Sequence, residues 1–371
     1  MDRNQEIVEG LLNQAGIFVG GNNPWDIKVN DERFFKSIVK DGELGLGESF
    51  MKGWWTSPKM DQMIFKLFEG NIQEKVKENL KTLLWIAFTK ITNFQTKNKA
   101  KLVGLKHYDI GNKLYSLMLD DRMNYSCGYW NNTSDLNTAQ ENKLNVICQK
   151  LKLKPGMHVL DIGCGWGAFG KYAAEKYDVK TTGITISKNQ KLLGEKLCED
   201  LPVKFELKDY RDIKGVYDRV VSIGMLEHVG YKNYKNFFRT VNNSLSDDGI
   251  ALIHTIGSNR TVTTTSAWLD KYIFPNGMIP SIKQIGDAIE KSFVMEDWHN
   301  FGHYYDTTLM SWFNNFEKNQ DKIANDYDEK FFRMWQYYLL SNAAAFRARY
   351  NQLWQIVLTK KGIIGGYQSI R

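Results

Sequence analysis

The sequence predicts an α/β protein: a seven-stranded sheet carrying helices, preceded by a smaller α+β domain. Three observations carry this reading. The stretch Val159 to Tyr177 (VLDIGCGWGAFGKYAAEKY) passes from an apolar run through three alternate glycines into apolar residues at helical spacing, which reads as strand, tight turn, helix. Short apolar runs then recur downstream with helical or polar stretches between them, whereas residues 1 to about 105 have no glycine motif of this kind. With 371 residues, 43% of them hydrophobic and 25% charged, the chain has enough apolar material for one large core or two.

In the first domain, Glu6 to Ala15 places Ile7, Val8, Leu11 and Leu12 on one side of a short helix, and IFVG and WDIKVN read as strands separated by the turn Gly20 to Pro24. LGLGESFMKGWW, Leu44 to Trp55, is dense in glycine and aromatics; no strand-to-helix unit accompanies its glycines, so Gly45 and Gly47 are expected in turns. Trp54 and Trp55 are adjacent, and only one of two neighbours readily faces a core. Asn71 to Phe94 spaces Ile72, Val76, Leu80, Leu83, Leu84, Ala87, Ile91 and Phe94 as a basic amphipathic helix. Between Lys75 and Lys106 stand eight lysines and one acid, Glu78, a surplus of seven that equals the whole chain's net charge of +7. Contact with an anionic surface and a merely solvated helix face explain this equally well. The shift in composition at Thr96 to Lys106 marks a linker, giving domains 1–105 and 106–371.

From His107 onward come a helix-like segment to Asp120, an aromatic loop Met123 to Trp130 with polar groups of the exposed type, and a helix Ala139 to Leu151 leading into the first strand. The second strand is Val179 to Ile186, with a helix opening at Ser187; the third, within Val203 to Ile213, ends at Asp209 and Tyr210. The fourth, within Tyr217 to Gly230, ends in Glu227 and His228, and the fifth, Ile250 to Gly257, carries His254. Residues 258 to about 290 form an insertion expected to cover the cofactor crevice. FVMEDWHN starts the sixth strand, a long helix runs from Glu329 to Arg349, and LWQIVLTKKG is the seventh strand.

Gly163 and Gly165 leave no Cβ in the first turn, so a nucleotide-like cofactor can lie against backbone at a helix start. A dinucleotide site would carry an acid at the end of the second strand; VKTTGITI ends without one. DIGCGWG instead resembles the first motif of class I S-adenosylmethionine-dependent methyltransferases. MDRNQEIVEG lacks the apolar core of a secretory signal, and LLWIAF, Leu83 to Phe88, is far shorter than the ~20 residues of a membrane span, so a cytoplasmic protein is expected. The four cysteines, Cys127, Cys148, Cys164 and Cys198, include no CxxC pair, and His299 and His303 lack companion ligands, so no metal is expected. No RNP-type aromatic strand accompanies the basic segment, which argues against nucleic acid.

Taken together, YSCGYW, VLDIGCGWG, GITISKNQ, SIGMLEHVG, HTIG and YDTTLMSW, with LGLGESFMKGWW and AFRARYNQLWQ at the two ends, resemble the cyclopropane-fatty-acyl-phospholipid synthases, relatives of the mycolic acid cyclopropane synthases. The resemblance implies a Rossmann-like class I methyltransferase fold and methylene transfer from S-adenosylmethionine to the cis double bond of a phospholipid acyl chain. In that reaction the alkene takes the sulfonium methyl, leaving a carbocation, and a bound bicarbonate removes a proton from the new methyl so that the ring closes. Carried over residue by residue, Tyr125, Ser126, Gly163 and Gly165 would hold the methionine part of the cofactor, Thr185 and Gln190 the ribose, and Asp209 and Tyr210 the adenine. Where Tyr210 stands, the mycolic acid relatives have tryptophan. Cys127, Glu227, His254, Ile256 and Tyr305 would hold the bicarbonate, and Tyr272, Phe274, Trp298 and Tyr304 would shield the cation. The implied partner is unsaturated phospholipid of a bilayer, met at the inner face of the cell membrane by the first domain; a homodimer is allowed for. Alternatives are a methyltransferase that leaves a methyl branch without a ring, an RNA-binding module, and a lipid binder without activity.

Overall fold

The computed structural model describes residues 2–72 and 111–371. Most of the expected basic amphipathic helix, the linker and the boundary at 105/106 lie outside the described residues. Two compact units emerge: one gathers the N-terminal residues with Thr263–Pro275 and Tyr305–Asn351, the other holds the remainder, including Asn276–Tyr304 and Gln352–Arg371.

The first unit is mainly helical. Its helices Arg3–Gln14, Arg33–Met51 and Met60–Glu69 are joined by a two-residue antiparallel pair, β1 (Lys28–Val29) and β2 (Trp55–Thr56). Helix Glu329–Arg347 packs on the second and third of these and buries Trp335. Arg347 ties three distant segments together, its guanidinium donating to Asp306 at 2.9 Å and to Asp61 at 2.8 Å. Trp55 is the tryptophan that enters the core, donating to Leu46 O at 3.1 Å. Trp54 is only partly buried and lies between the cations of Arg33 and Lys52, at 4.7 and 4.6 Å.

Gly45 and Gly47 are not turn residues: both lie inside helix Arg33–Met51, which kinks at Gly42 (φ 54°). A Cβ at Gly45 would collide with Ser37 O, and one at Gly47 with the indole of Trp268. These glycines are there because other atoms occupy the Cβ positions, a packing requirement that looks like turn chemistry in sequence.

The second unit is built on a seven-stranded sheet: β3 (His158–Ile162), β4 (Lys180–Thr185), β5 (Val203–Leu207), β6 (Tyr217–Ile223), β7 (Leu245–Gly257), β8 (Val294–Asn300) and β9 (Gln352–Thr359). The spatial order is β5-β4-β3-β6-β7-β9-β8, with β9 alone running antiparallel to its neighbours. This is the Rossmann-like class I methyltransferase arrangement. Both faces are covered, which is why the strands read as continuous apolar runs. Leu160, Ile162, Val220, Ala251, Ile253, Ile356 and Leu358 pack on one side with helices Tyr234–Ser244 and Ile282–Ile289. Val159, Val221, Leu252 and Val357 pack on the other with helices Leu136–Lys150 and Ala168–Tyr177. The chain order reverses between β3 and β6, and Ser222 Oγ donates across this junction to Ile162 O at 2.9 Å. Ligands of open α/β sheets bind outside the carboxyl ends of the strands at such a point.

Candidate active site

The loop after β3 carries three glycines in the left-handed region, Gly163 (φ 86°), Gly165 (φ 54°) and Gly167 (φ 88°). Their surroundings differ. A Cβ at Gly163 would sit 3.0 Å from Met225 Cβ, and one at Gly167 would strike the Phe205 ring, but one at Gly165 would meet nothing within 4 Å. Gly165 therefore borders open space that a ligand can enter closely. Gly167 caps helix Ala168–Tyr177 with no side-chain bond, leaving the helix start to act on whatever lies there. The open Cβ position of Gly165 and the helix start without a side-chain cap suit the close approach of a ligand such as S-adenosylmethionine.

Tyr125, Ser126 and Cys127 lie in the loop between helix Asn112–Met118 and helix Leu136–Lys150. The loop is not of the exposed type: Asn124, Ser126, Cys127, Tyr129 and Trp130 are all buried. The reason is Lys143, fully buried, whose Nζ donates to Asn124 Oδ1 at 2.7 Å and Ser126 Oγ at 3.0 Å, while Gln140 Nε2 donates to Ser126 O at 2.8 Å. Asp120 accepts from Asn124 N at 2.7 Å and Nδ2 at 2.8 Å. Burial lowers the Lys143 ammonium to about 8, against the pull of Asp120, Cys127 and Asp161. Burial likewise pushes the Asp161 carboxyl up to about 7, Lys143 opposing. Sequence reasoning missed this network. Its one signal is that Gln140, Lys143 and Lys150 share a helix face with Ile147, at spacings of three and four, where apolar residues are expected. Tyr125 stands edge-on to Tyr115 at 5.1 Å, and Tyr115 in turn lies 5.1 Å from Trp166 of the glycine loop.

At the end of β4, Thr185 Oγ1 donates to Gln190 Oε1 at 2.9 Å and accepts from Ser187 N at 3.1 Å; Ser187 caps the helix Lys188–Leu197 that carries Gln190. Beyond β5, Asp209 grips Arg211 through both oxygens, at 2.7 Å each, and Tyr210 is buried against Phe237 at 5.5 Å. The four residues flank the same carboxyl edge of the sheet as the glycine loop.

Glu227 lies in the turn Leu226–His228 after β6, two residues from Met225. Its Oε1 accepts from Ile256 N at 2.6 Å; its Oε2 is buried with no hydrogen-bond partner among the described residues. Burial pushes this carboxyl up to about 7, the Ile256 N–H opposing. His254, two residues before Ile256 on β7, is buried; its Nδ1 lies 3.4 Å from Gln355 Nε2, and its Nε2 has no partner among the described residues. Burial first, and then the charges of Lys143, Lys150 and His299, hold His254 well below the usual imidazole range, so it is neutral. Cys127 is buried and its thiol contacts Gly128 O at 3.2 Å. Glu227 is thus brought to Ile256, two residues along β7 from His254. Tyr305 belongs to the first unit, where it is buried at 4.5 Å from the Phe346 ring. The expected shielding aromatics divide in the same way: Tyr272 and Phe274 in the first unit, Trp298 and Tyr304 in the second.

Residues 95–356 match the family described as mycolic acid cyclopropane synthetase. The chain is 48% identical over 365 residues to the cyclopropane-fatty-acyl-phospholipid synthase of Escherichia coli (strain K12), covering 98% of this chain and 95% of that one. It is 31% identical over 348 residues to the tuberculostearic acid methyltransferase UfaA1 of Mycobacterium tuberculosis, covering 88% of this chain and 81% of that one. The crystal structure of the mycolic acid cyclopropane synthase CmaA1 complexed with SAH and CTAB superposes with a TM-score of 0.66 at 30% identity, over 70% of this chain and 98% of that one. The chain therefore belongs to the mycolic acid cyclopropane synthetase family and is an S-adenosylmethionine-dependent methyltransferase.

Proposed function

We propose that the enzyme transfers a methylene group from S-adenosylmethionine to the cis double bond of an unsaturated acyl chain in a membrane phospholipid, closing a cyclopropane ring. The observation that carries this is a pair of buried atoms with no hydrogen-bond partner among the described residues, Glu227 Oε2 and His254 Nε2. They stand at strand ends next to the glycine loop, which touches their segment through Gly163 and Met225. Methyl transfer to a nitrogen or oxygen has no use for a second polar site there; addition to an alkene leaves a cation, and closing the ring removes a proton. S-adenosylmethionine would supply the electrophilic methyl, and a bicarbonate bound at Glu227 and His254 would supply the proton acceptor. Glu227 Oε2 would accept a hydrogen bond from that ion, and the His254 ring would donate one to it. Ile256 N–H keeps the carboxylate in place, and Cys127 would be a further member of the set. On the cofactor side, Gly165 admits the ligand to the backbone, Tyr125, Ser126 and Gly163 take the methionine part, Thr185 and Gln190 the ribose, and Asp209 and Tyr210 the adenine.

The first domain, residues 1–105, presents the phospholipid. Its lysines between Lys75 and Lys106 would add roughly 1 kcal/mol each at an anionic surface. The contact would be peripheral, from the cytoplasmic side; among the described residues no helix is long and apolar enough to cross a membrane. Nucleic acid is not a partner in this reading, and a homodimer is compatible with it. A second reading, methyl branching without a ring, is favoured by the match to a tuberculostearic acid methyltransferase. Incubation with vesicles of unsaturated phospholipid and labelled S-adenosylmethionine, followed by proton NMR of the released fatty acids, separates the two. Cyclopropyl protons support ring formation; a branched chain without them overturns it.

A further inference from the structure

Across the sheet, His254 on β7, Gln355 on β9 and His299 on β8 form one row: Gln355 is the direct cross-strand partner of His254 on one side and of His299 on the other. Directly opposed residues present their side chains on the same face. All three are buried, Gln355 completely. At the outer end of the row, Lys150 Nζ lies 2.9 Å from His299 Nδ1. An ammonium can only donate, so the proton of that neutral ring is on Nε2. At the inner end, Gln355 Nε2 approaches His254 Nδ1 at 3.4 Å.

We propose that Gln355 is a positioning residue that sets the tautomer of His254. Its amide N–H donates to Nδ1, which keeps the ring proton on Nε2. The ring is neutral, so one nitrogen donates and the other accepts. With Nδ1 engaged as the acceptor, the atom left without a partner among the described residues is an N–H, able to hold an oxyanion without carrying charge. In the other tautomer the same atom would present a lone pair and repel the anion. Glutamine suits this position because it supplies a donor without a charge. A glutamate there would accept from Nδ1–H and turn Nε2 into a lone pair, or draw a second proton onto the ring.

The inference rests on the reading of His254 as an anion-holding group, but the test reads the tautomer itself. Full-length protein labelled with 15N-histidine would be examined by long-range 1H–15N NMR in bicarbonate-free buffer, the His254 signals being assigned by their loss in His254→Gln. Expected is a protonated Nε2 and an unprotonated Nδ1. In Gln355→Glu the proton should move to Nδ1 or the ring become doubly protonated. Turnover should then fall about 10- to 100-fold, the usual cost of losing the partner behind a functional imidazole, while KM for S-adenosylmethionine stays unchanged. A wild-type ring protonated on Nδ1, or a Gln355→Glu variant with the wild-type tautomer, overturns the proposal. The wild-type spectrum decides even if the variant does not fold. Because the spectrum is recorded without bicarbonate, a wild-type enzyme that runs at full rate in degassed buffer would sink the bicarbonate reading and leave the tautomer result standing.

Discussion

At the ends of β4 and β5, Thr185, Gln190 and Asp209 are already bonded to one another's segments or to Arg211. At the ends of β6 and β7, Glu227 and His254 each keep a buried polar atom with no partner among the described residues. The first group is already hydrogen-bonded before any ligand arrives and offers only what capacity remains; a carboxylate, for instance, has about four acceptor sites and Asp209 uses part of them. The second group carries a standing cost of about 1–3 kcal/mol for each unsatisfied group. A fold keeps such a cost where function requires it. The two halves should therefore respond to mutation in different currencies: affinity for the cofactor in the first, turnover in the second.

The largest effect tests the second half. Glu227→Gln should lower turnover by about 10²- to 10⁴-fold, the range for losing a positioned proton-transfer group, with S-adenosylmethionine affinity held within about threefold by calorimetry. A parallel loss of affinity would erase the distinction between the halves. Next comes Lys143→Met, which removes the cation under the Ser126 loop and strands Asp161 and Asp120. Breaking a buried charge set in this way costs about 3–5 kcal/mol, measurable by urea unfolding; a variant as stable as the parent would show that the loop holds itself.

Gly165→Val probes the first half. A β-branched side chain at φ 54° is strained by about 1–2 kcal/mol and fills the open space beside the loop. Cofactor affinity should drop at least about tenfold, some 1.4 kcal/mol, with turnover at saturating cofactor nearly kept. Unchanged affinity would remove the loop from the site.

The smallest effect is a divergence with pH. Glu227 is pushed up to about 7 by burial, from an ordinary value of 4.5. Its share of stability is fully present below about 4.5 and is lost as pH rises through about 7. Activity needs the carboxylate as acceptor, so it should rise through the same window. Wild type should thus lose stability between about pH 4.5 and 7 while turnover rises toward pH 7 and above, and Glu227→Gln should flatten the stability curve by about 1 kcal/mol or more. Identical curves for the two proteins would place the titration elsewhere, Asp161 being the other carboxyl raised to about 7.

The strands and the glycine loop were legible because both sheet faces are covered and three glycines at alternate positions leave few other readings. β7 starts at Leu245, five residues before the expected Ile250, because Asp247, Asp248 and Gly249 have the composition of a turn. Gly45 and Gly47 were misassigned for a related reason: residues that exclude their Cβ atoms come from Ser37 and, far along the chain, Trp268. Glu227 and His254 stood out as polar residues closing apolar runs. Lys143 and Gln355 did not, since what defines them is a partner elsewhere in the chain: Ser126 and Asn124 for one, His254 for the other.

The position of β9 has a consequence for how the polypeptide is made. This strand lies between β7 and β8 in space but follows both in the chain, and the first unit likewise waits for Tyr305–Asn351. On the ribosome, the first unit cannot be completed until Tyr305–Asn351 has emerged, nor the sheet until Gln352–Thr359 follows. Until then β7 and β8 expose unpaired edges of the kind that recruit other strands. Slower synthesis therefore lengthens the exposure instead of helping an early domain to fold, and a nascent chain halted before Gln352 should be bound by chaperones in preference to the finished enzyme.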